Sequence, residues 1–172
     1  MKFYISIFLI YIITTLSCKS DDTNLKKWYA DKKGKIIRES NLVADNIDSS
    51  QKNDKFIYQV TYYKSSHQFK QEIFKPDGQR LLEAFYSTDE KWRLKHELCE
   101  NGKIGREEIA IEGHSIGPFT WWNCNGEIEK TGIKYKGSFI GHLKIYDQTG
   151  KQISDTDYNN KDKFEEIVKN YR

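Results

Sequence analysis

The sequence predicts an all-β fold: an antiparallel meander of β-hairpins, one hairpin about every 24 residues, with a short capping helix at the C-terminal end. Three observations predict it. Turn glycines stand at Gly78, Gly102, Gly126 and Gly150, each 24 residues from the next. Between them, apolar residues alternate with period two, as in a half-buried strand. Aromatic residues make up 14% of the chain, with eleven Tyr and nine Phe, which favours strands and argues against disorder.

Each element follows from the same register. The anchoring dipeptides are Asp-Gly, Asn-Gly, Asn-Gly and Thr-Gly. Asp-Gly and Asn-Gly are strong hairpin signals, and the expected turn is type I′, with positive φ at both central residues. Four residues before each anchor lie Phe74, Leu98, Trp122 and Tyr146. A second set of turns is expected at Gly113 and Gly137, with Gly117 and Gly141 four residues later, also read as turn chemistry. Leu143 and Ile145 alternate with Lys144 and Tyr146, and Phe119 and Trp121 with Thr120 and Trp122. Earlier in the chain, 26–39 and 55–63 read as strands of degenerate repeats. Gly34 looks like an out-of-phase turn glycine, Asp54 a turn residue, and the polar stretch around 41–54 a loop or insertion. At the other end, Phe164, Ile167, Val168 and Tyr171 are spaced as one face of a short helix, so 161–172 reads as a capping helix or a tail with apolar anchors.

The first seventeen residues differ from the rest. They hold one Lys and an apolar run from Phe3 to Leu16, too short to span a membrane and suited to a secretion signal. The run ends at Ser17-Cys18. This resembles a bacterial lipoprotein signal, cut before a cysteine that then carries lipid, although Thr15 stands where such signals usually have Leu. The resemblance implies a signal over 1–17, a lipidated Cys18 and a tether over 18–25; the repeat register then gives a repeat domain over 26–160. The acidic "KSDD" is similar to the tract that sends some Bacteroidetes-type lipoproteins to the outer surface. The expected location is therefore the cell envelope, at the outer membrane, held by the lipid; the tract reads equally as a surface-export signal or as a plain solvated linker.

Removing 1–17 removes only Lys2 and leaves 27 Lys and Arg against 25 Asp and Glu, a net charge of +2. The charges are interspersed, with no basic stripe for nucleic acid. In an oxidising compartment Cys99 and Cys124 could pair, but they differ by one residue in repeat phase, which would place them on opposite sheet faces, so free or partly buried thiols are expected.

The stretch Tyr135-Lys-Gly137…Gly141-His-Leu-Lys-Ile-Tyr146…Gly150-Lys151 resembles the MORN-repeat variant of bacterial YwqK-type proteins. Residues 111–127 are a second good copy. Two weaker copies precede it, with Asp89 and Arg93 in place of the paired glycines. The resemblance covers roughly residues 70–160. It implies a curved repeat sheet and no particular chemistry. Some relatives are called antitoxins, which leaves a toxin-neutralising or immunity role as an alternative.

No residue pattern points to a reaction. The four His (His67, His96, His114, His142) show no metal-ligand spacing, and no metal or cofactor is expected. Glu107-Glu108 and the pair Glu127/Glu129 read as solvated strand faces rather than a hydrolytic carboxylate pair; an envelope hydrolase is the lesser alternative. The candidate binding residues are Trp121, Trp122 and Tyr146. Trp121 is the most informative, because its repeat column holds Ile73, Glu97 and Ile145 and is not uniform. The expectation is a non-catalytic, lipid-anchored binding or scaffolding module for a protein or envelope glycan.

Overall fold

The computed structural model describes residues 20–40, 46–53, 55–62, 67–160 and 162–171. Residues 1–17, Cys18 and Asp54 lie outside these. A helix α1 (Ser20–Ser40) is followed by ten strands and a second helix. The strands are β1 (Asn46–Asn53), β2 (Phe56–Tyr62), β3 (Gln68–Phe74), β4 (Arg80–Tyr86), β5 (Trp92–Leu98), β6 (Ile104–Ile111), β7 (His114–Trp122), β8 (Ile128–Tyr135), β9 (Ser138–Tyr146) and β10 (Gln152–Asp157); the helix α2 (Asp162–Asn170) closes the chain. The strands form one sheet in strict sequence order, every described pair antiparallel. The predicted meander is the observed fold.

Four hairpins repeat the same geometry. In each, the N–H of the anchoring glycine donates to the carbonyl three residues back, at 2.9–3.0 Å, at Gly78, Gly102, Gly126 and Gly150. Only the glycine has positive φ; Asp77, Asn101, Asn125 and Thr149 do not. These turns are therefore not type I′. They are type I turns followed by a left-handed glycine, the arrangement that carries a bulge into the next strand. Register shifts follow at Phe74, Leu98 and Trp122, and between Gln152 and Ser154. The type I′ signature belongs instead to Glu112-Gly113 and Lys136-Gly137, where both residues have positive φ and join Ile111 to His114 and Tyr135 to Ser138.

The N-terminal part departs from expectation. Residues 26–39 are not strands, and 20–25 are not an extended tether; both belong to α1. Leu25, Trp28 and Ile36 are buried, a helical spacing that the sheet partner requires. Gly34 lies inside the helix, where it forms no turn. Likewise 46–53, expected as a loop, is β1, paired with β2 from Asn46↔Tyr62 to Asn53↔Phe56.

Both helices lie on one face of the sheet. The core joins Leu25, Trp28 and Ile36 of α1 and Phe164 and Ile167 of α2 to Trp92, Leu94, Ile109, Ile116, Tyr135 and Ile140 of the strands. The paired glycines explain how the helices seat. Gly117 and Gly141 are not turns; they are positive-φ positions inside β7 and β9. A Cβ on Gly117 would stand 2.9 Å from the Trp28 ring, and one on Gly141 2.7 Å from the Phe164 ring. Each glycine thus makes the gap into which one helix aromatic packs. Trp28 also donates its indole N–H to the Tyr171 carbonyl at 3.0 Å, tying α1 to the end of α2. The Tyr135 hydroxyl bonds to Glu166 of α2.

Cys99 and Cys124 form a disulfide, with Cα atoms 5.5 Å apart, and are not free thiols. The face argument fails because both lie beyond the strand ends Leu98 and Trp122, where pleat alternation no longer fixes direction. They sit in neighbouring turns on the same side of the sheet. The sequence separation is 25 residues, and a closed loop of that size restricts the unfolded chain by about 3 kcal/mol. Cys99→Ser is expected to lower unfolding free energy by about that amount in denaturant melts. An unchanged midpoint under oxidising conditions would contradict it.

Candidate functional site

The 24-residue register places equivalent repeat positions in straight rows across the strands. One row, on the face away from the helices, runs Ile73–Leu82–Glu97–Arg106–Trp121–Lys130–Ile145–Ser154. It interleaves two repeat columns: Ile73, Glu97, Trp121 and Ile145 come from odd-numbered strands, and Leu82, Arg106, Lys130 and Ser154 from even-numbered ones. In both columns the residue type changes from repeat to repeat.

Trp121 is the centre of this row. Its partners across the ladder are Arg106 on β6 and Lys130 on β8. The Arg106 guanidinium lies 4.3 Å from the ring centroid and the Lys130 ammonium 4.6 Å, a cation from each flanking strand. Phe119 packs beside it at 5.8 Å, followed by Phe139 at a further 5.8 Å and Tyr158 at 5.5 Å. Phe119 is itself buried, because its ring covers Gly132 on the next strand and the Lys134 ammonium lies over it. Trp121 and Lys130 are half-buried and Arg106 is exposed.

Carboxylates partly balance the cations. Glu108 bonds Lys95 at 2.9 Å and Lys134 at 3.2 Å, and Glu97 bonds Arg106 at 3.1 Å. Burial alone would raise the Glu108 pKa, but Lys95, the Ser115 hydroxyl and Lys134 bring it down to about 2. Among the described residues no carboxylate reaches Lys130 or Arg93. Apart from Glu129 at the register shift of β8, strands β5–β8 present five cations (Arg93, Lys95, Arg106, Lys130, Lys134) to this face against two carboxylates, Glu97 and Glu108.

The opposite face carries a second polar row, Glu72–Glu83–His96–Glu107–Thr120. His96 is buried between two carboxylates: Nδ1 lies 3.0 Å from Glu83 and Nε2 3.0 Å from Glu107. Burial alone would lower the His96 pKa, but the hydrogen bonds and charges of Glu107 and Glu83 outweigh it and raise it. Glu107, which burial would push up, is held at about 2, by His96 and Lys33. Arg80 bridges Glu72 at 2.9 Å and Glu83 at 2.8 Å. From α1, Lys33 reaches Glu107 at 2.6 Å and the Tyr29 hydroxyl donates to it at 3.3 Å. Burial, and then the charge of Glu107, raises the Tyr29 pKa. Glu107 is therefore not a solvated strand face, as its sequence context implied. It is the buried anchor that fixes α1 to the sheet. Glu127 and Glu129 are exposed, as expected.

The structure does not unite the three candidate binding residues. Trp121 and Trp122 alternate to opposite faces. Tyr146 follows Ile145 as Trp122 follows Trp121, and so belongs to the Trp122 column at the hairpin ends. Trp121 is brought together instead with Arg106, Lys130 and Lys134. The 24-residue register carried the signal for this: Arg106 and Lys130 are one period apart, as are Glu83 and Glu107 on the other face.

No family model matches the chain, and no curated protein matches it. Two solved structures share part of its shape. One is "Crystal Structure of TarM", at 9% identity and TM-score 0.36, covering 78% of this chain and 25% of that one. The other is the S. aureus TarM G117R mutant in complex with Fondaparinux, alpha-GlcNAc-glycerol and UDP, at 10% identity and TM-score 0.34, covering 82% and 26%. The chain spans about a quarter of those proteins, and likeness at this level carries no functional argument.

Proposed function

We propose that the chain is an exported, lipid-anchored, non-catalytic module that binds a protein or glycan of the cell envelope through its open sheet face. One observation carries this reading: two helices occupy one face, while the other keeps an aromatic and cationic row at the columns where the repeats differ. A repeat sheet whose constant positions build the scaffold has its variable positions free for recognition. The disulfide supports an oxidising compartment, in line with the lipoprotein-type signal. The four equivalent turns at a 24-residue spacing support the MORN-type reading of the repeat.

Two experiments test the proposal. Cys18→Ser is expected to move the protein from the membrane to the soluble fraction; full membrane retention would overturn the anchor. A photo-crosslinking residue at Ile145, on the open face, should capture a partner in intact cells, whereas one at Lys169 on α2 should not. Capture from Lys169 alone would place recognition on the helices and contradict the proposal.

A further inference from the structure

Resting on the reading of the open face as the binding surface, we infer that its occupant is an anionic polysaccharide lying across the strands over Trp121. Three features select this chemistry. The first is charge: Glu129 aside, five cations against two carboxylates on β5–β8, with Lys130 and Arg93 reached by no carboxylate among the described residues. An uncompensated cationic surface favours an anionic partner.

The second is geometry. The Trp121 ring is met from one side by a guanidinium fork and from the other by an ammonium, at 4.3 and 4.6 Å. The ring holds both cationic heads in place before any ligand arrives, which reduces the ordering cost of binding. Arginine suits bidentate capture of a carboxylate or sulfate, while the lysine supplies a point charge. Trp121 is only half-buried, and the part of the indole that the two heads leave exposed can meet the apolar C–H face of a sugar ring. Ser154, further along the same row on β10, adds a hydroxyl suited to sugar hydroxyls.

The third is direction. The row runs perpendicular to the strands, and from β3 to β9 each strand it crosses is paired on both sides. Extended peptides that bind sheets by strand addition align with an edge strand and use backbone groups. A linear chain crossing the face meets only side chains, spaced about 4.8 Å apart by the strand separation. Regularly spaced anionic rings fit that pattern better than an acidic peptide does.

The test is titration calorimetry of the folded, disulfide-bonded protein with oligogalacturonate, a uronic acid polymer. Neutral dextran, poly-glutamate and anionic phosphatidylglycerol vesicles serve as comparison ligands. The inference expects saturable binding of oligogalacturonate, weakened by added salt. Trp121→Ala and Lys130→Gln should each weaken it by about tenfold or more. Lys151→Gln, which removes the same charge at an exposed turn, should leave it unchanged. Circular dichroism confirms that each variant is folded, and Lys130→Gln removes no core contact. Equal or tighter binding of poly-glutamate or of the vesicles would overturn the glycan assignment. Trp121-dependent binding of dextran would overturn the anionic part. If no ligand binds, the inference fails, while the broader reading is judged separately by crosslinking at Ile145.

Discussion

Trp28→Ala should lower the unfolding free energy by about 3–5 kcal/mol, the range for removing a buried Trp from a core. Trp28 is 7% exposed and joins three parts of the molecule. Its ring packs edge-on against Trp92, with centroids 5.9 Å apart, and fills the gap left by Gly117. Its indole N–H holds the Tyr171 carbonyl. Loss of the ring therefore leaves a cavity against the sheet and removes the bond that ties α1 to the end of α2. In urea unfolding, the midpoint should fall, and amides of α1 should exchange faster than those of β6–β8. A change below about 1 kcal/mol would show that α1 is not docked as described.

Glu107→Ala should destabilise by a similar amount, about 3–5 kcal/mol, because it strips a buried His96 and the Lys33 of α1 of their common anion. The pH dependence gives the more specific reading. Glu107 titrates near 4.5 when unconstrained and near 2 in the fold, so its contribution is present above about pH 4.5 and lost as pH falls towards 2. His96 moves the other way. Its folded pKa is raised above 6.5, so its contribution is complete below that value and lost as pH rises through the folded pKa. The groups facing His96 are Glu83 and Glu107; Arg80 lies behind the first, and Lys33 and Tyr29 of α1 behind the second. Wild-type stability should therefore be highest between about pH 4.5 and 6.5. His96→Gln should flatten the loss on the alkaline side and also weaken the acid limb, since Glu107 keeps Lys33 but loses the imidazolium. Parallel wild-type and His96→Gln stability curves above pH 6.5 would contradict a charged His96.

The sheet was legible in the sequence because its information is periodic and local. Gly78, Gly102, Gly126 and Gly150 mark equivalent turns, and alternation fixes the strands between them. The exact turn type was not legible, since Asn-Gly also suits a type I turn followed by a left-handed glycine. Helix α1 was hidden by Gly34 and by the pairs Trp28-Tyr29 and Ile36-Ile37, which read locally as a strand pair. Only docking on the sheet selects the helical spacing of Leu25, Trp28 and Ile36. β1 is polar, and its pairing depends on β2 rather than on its own pattern. The disulfide depends on the approach of two turns, which alternation does not describe.

The candidate site was half legible. Trp121 stood out as the odd member of its column, but its cations come from β6 and β8, and become neighbours only when the hairpins are laid side by side. Once they are, the register links Arg106 and Lys130 to Trp121 and explains why Trp122 and Tyr146 belong elsewhere. It also turns Gly117 and Gly141 from turn markers into the seats of Trp28 and Phe164.

The central claim is that the helices close one face and leave the Trp121 row on the other for recognition. Backbone amide NMR of the intact protein, recorded as soluble envelope polymer from the native host is added, tests it most directly. The account predicts shift changes at Arg106, Trp121, Lys130 and Ile145, with the amides of α1 and α2 unmoved. Changes confined to the helices, or to β1 or β10 as an edge, would contradict it.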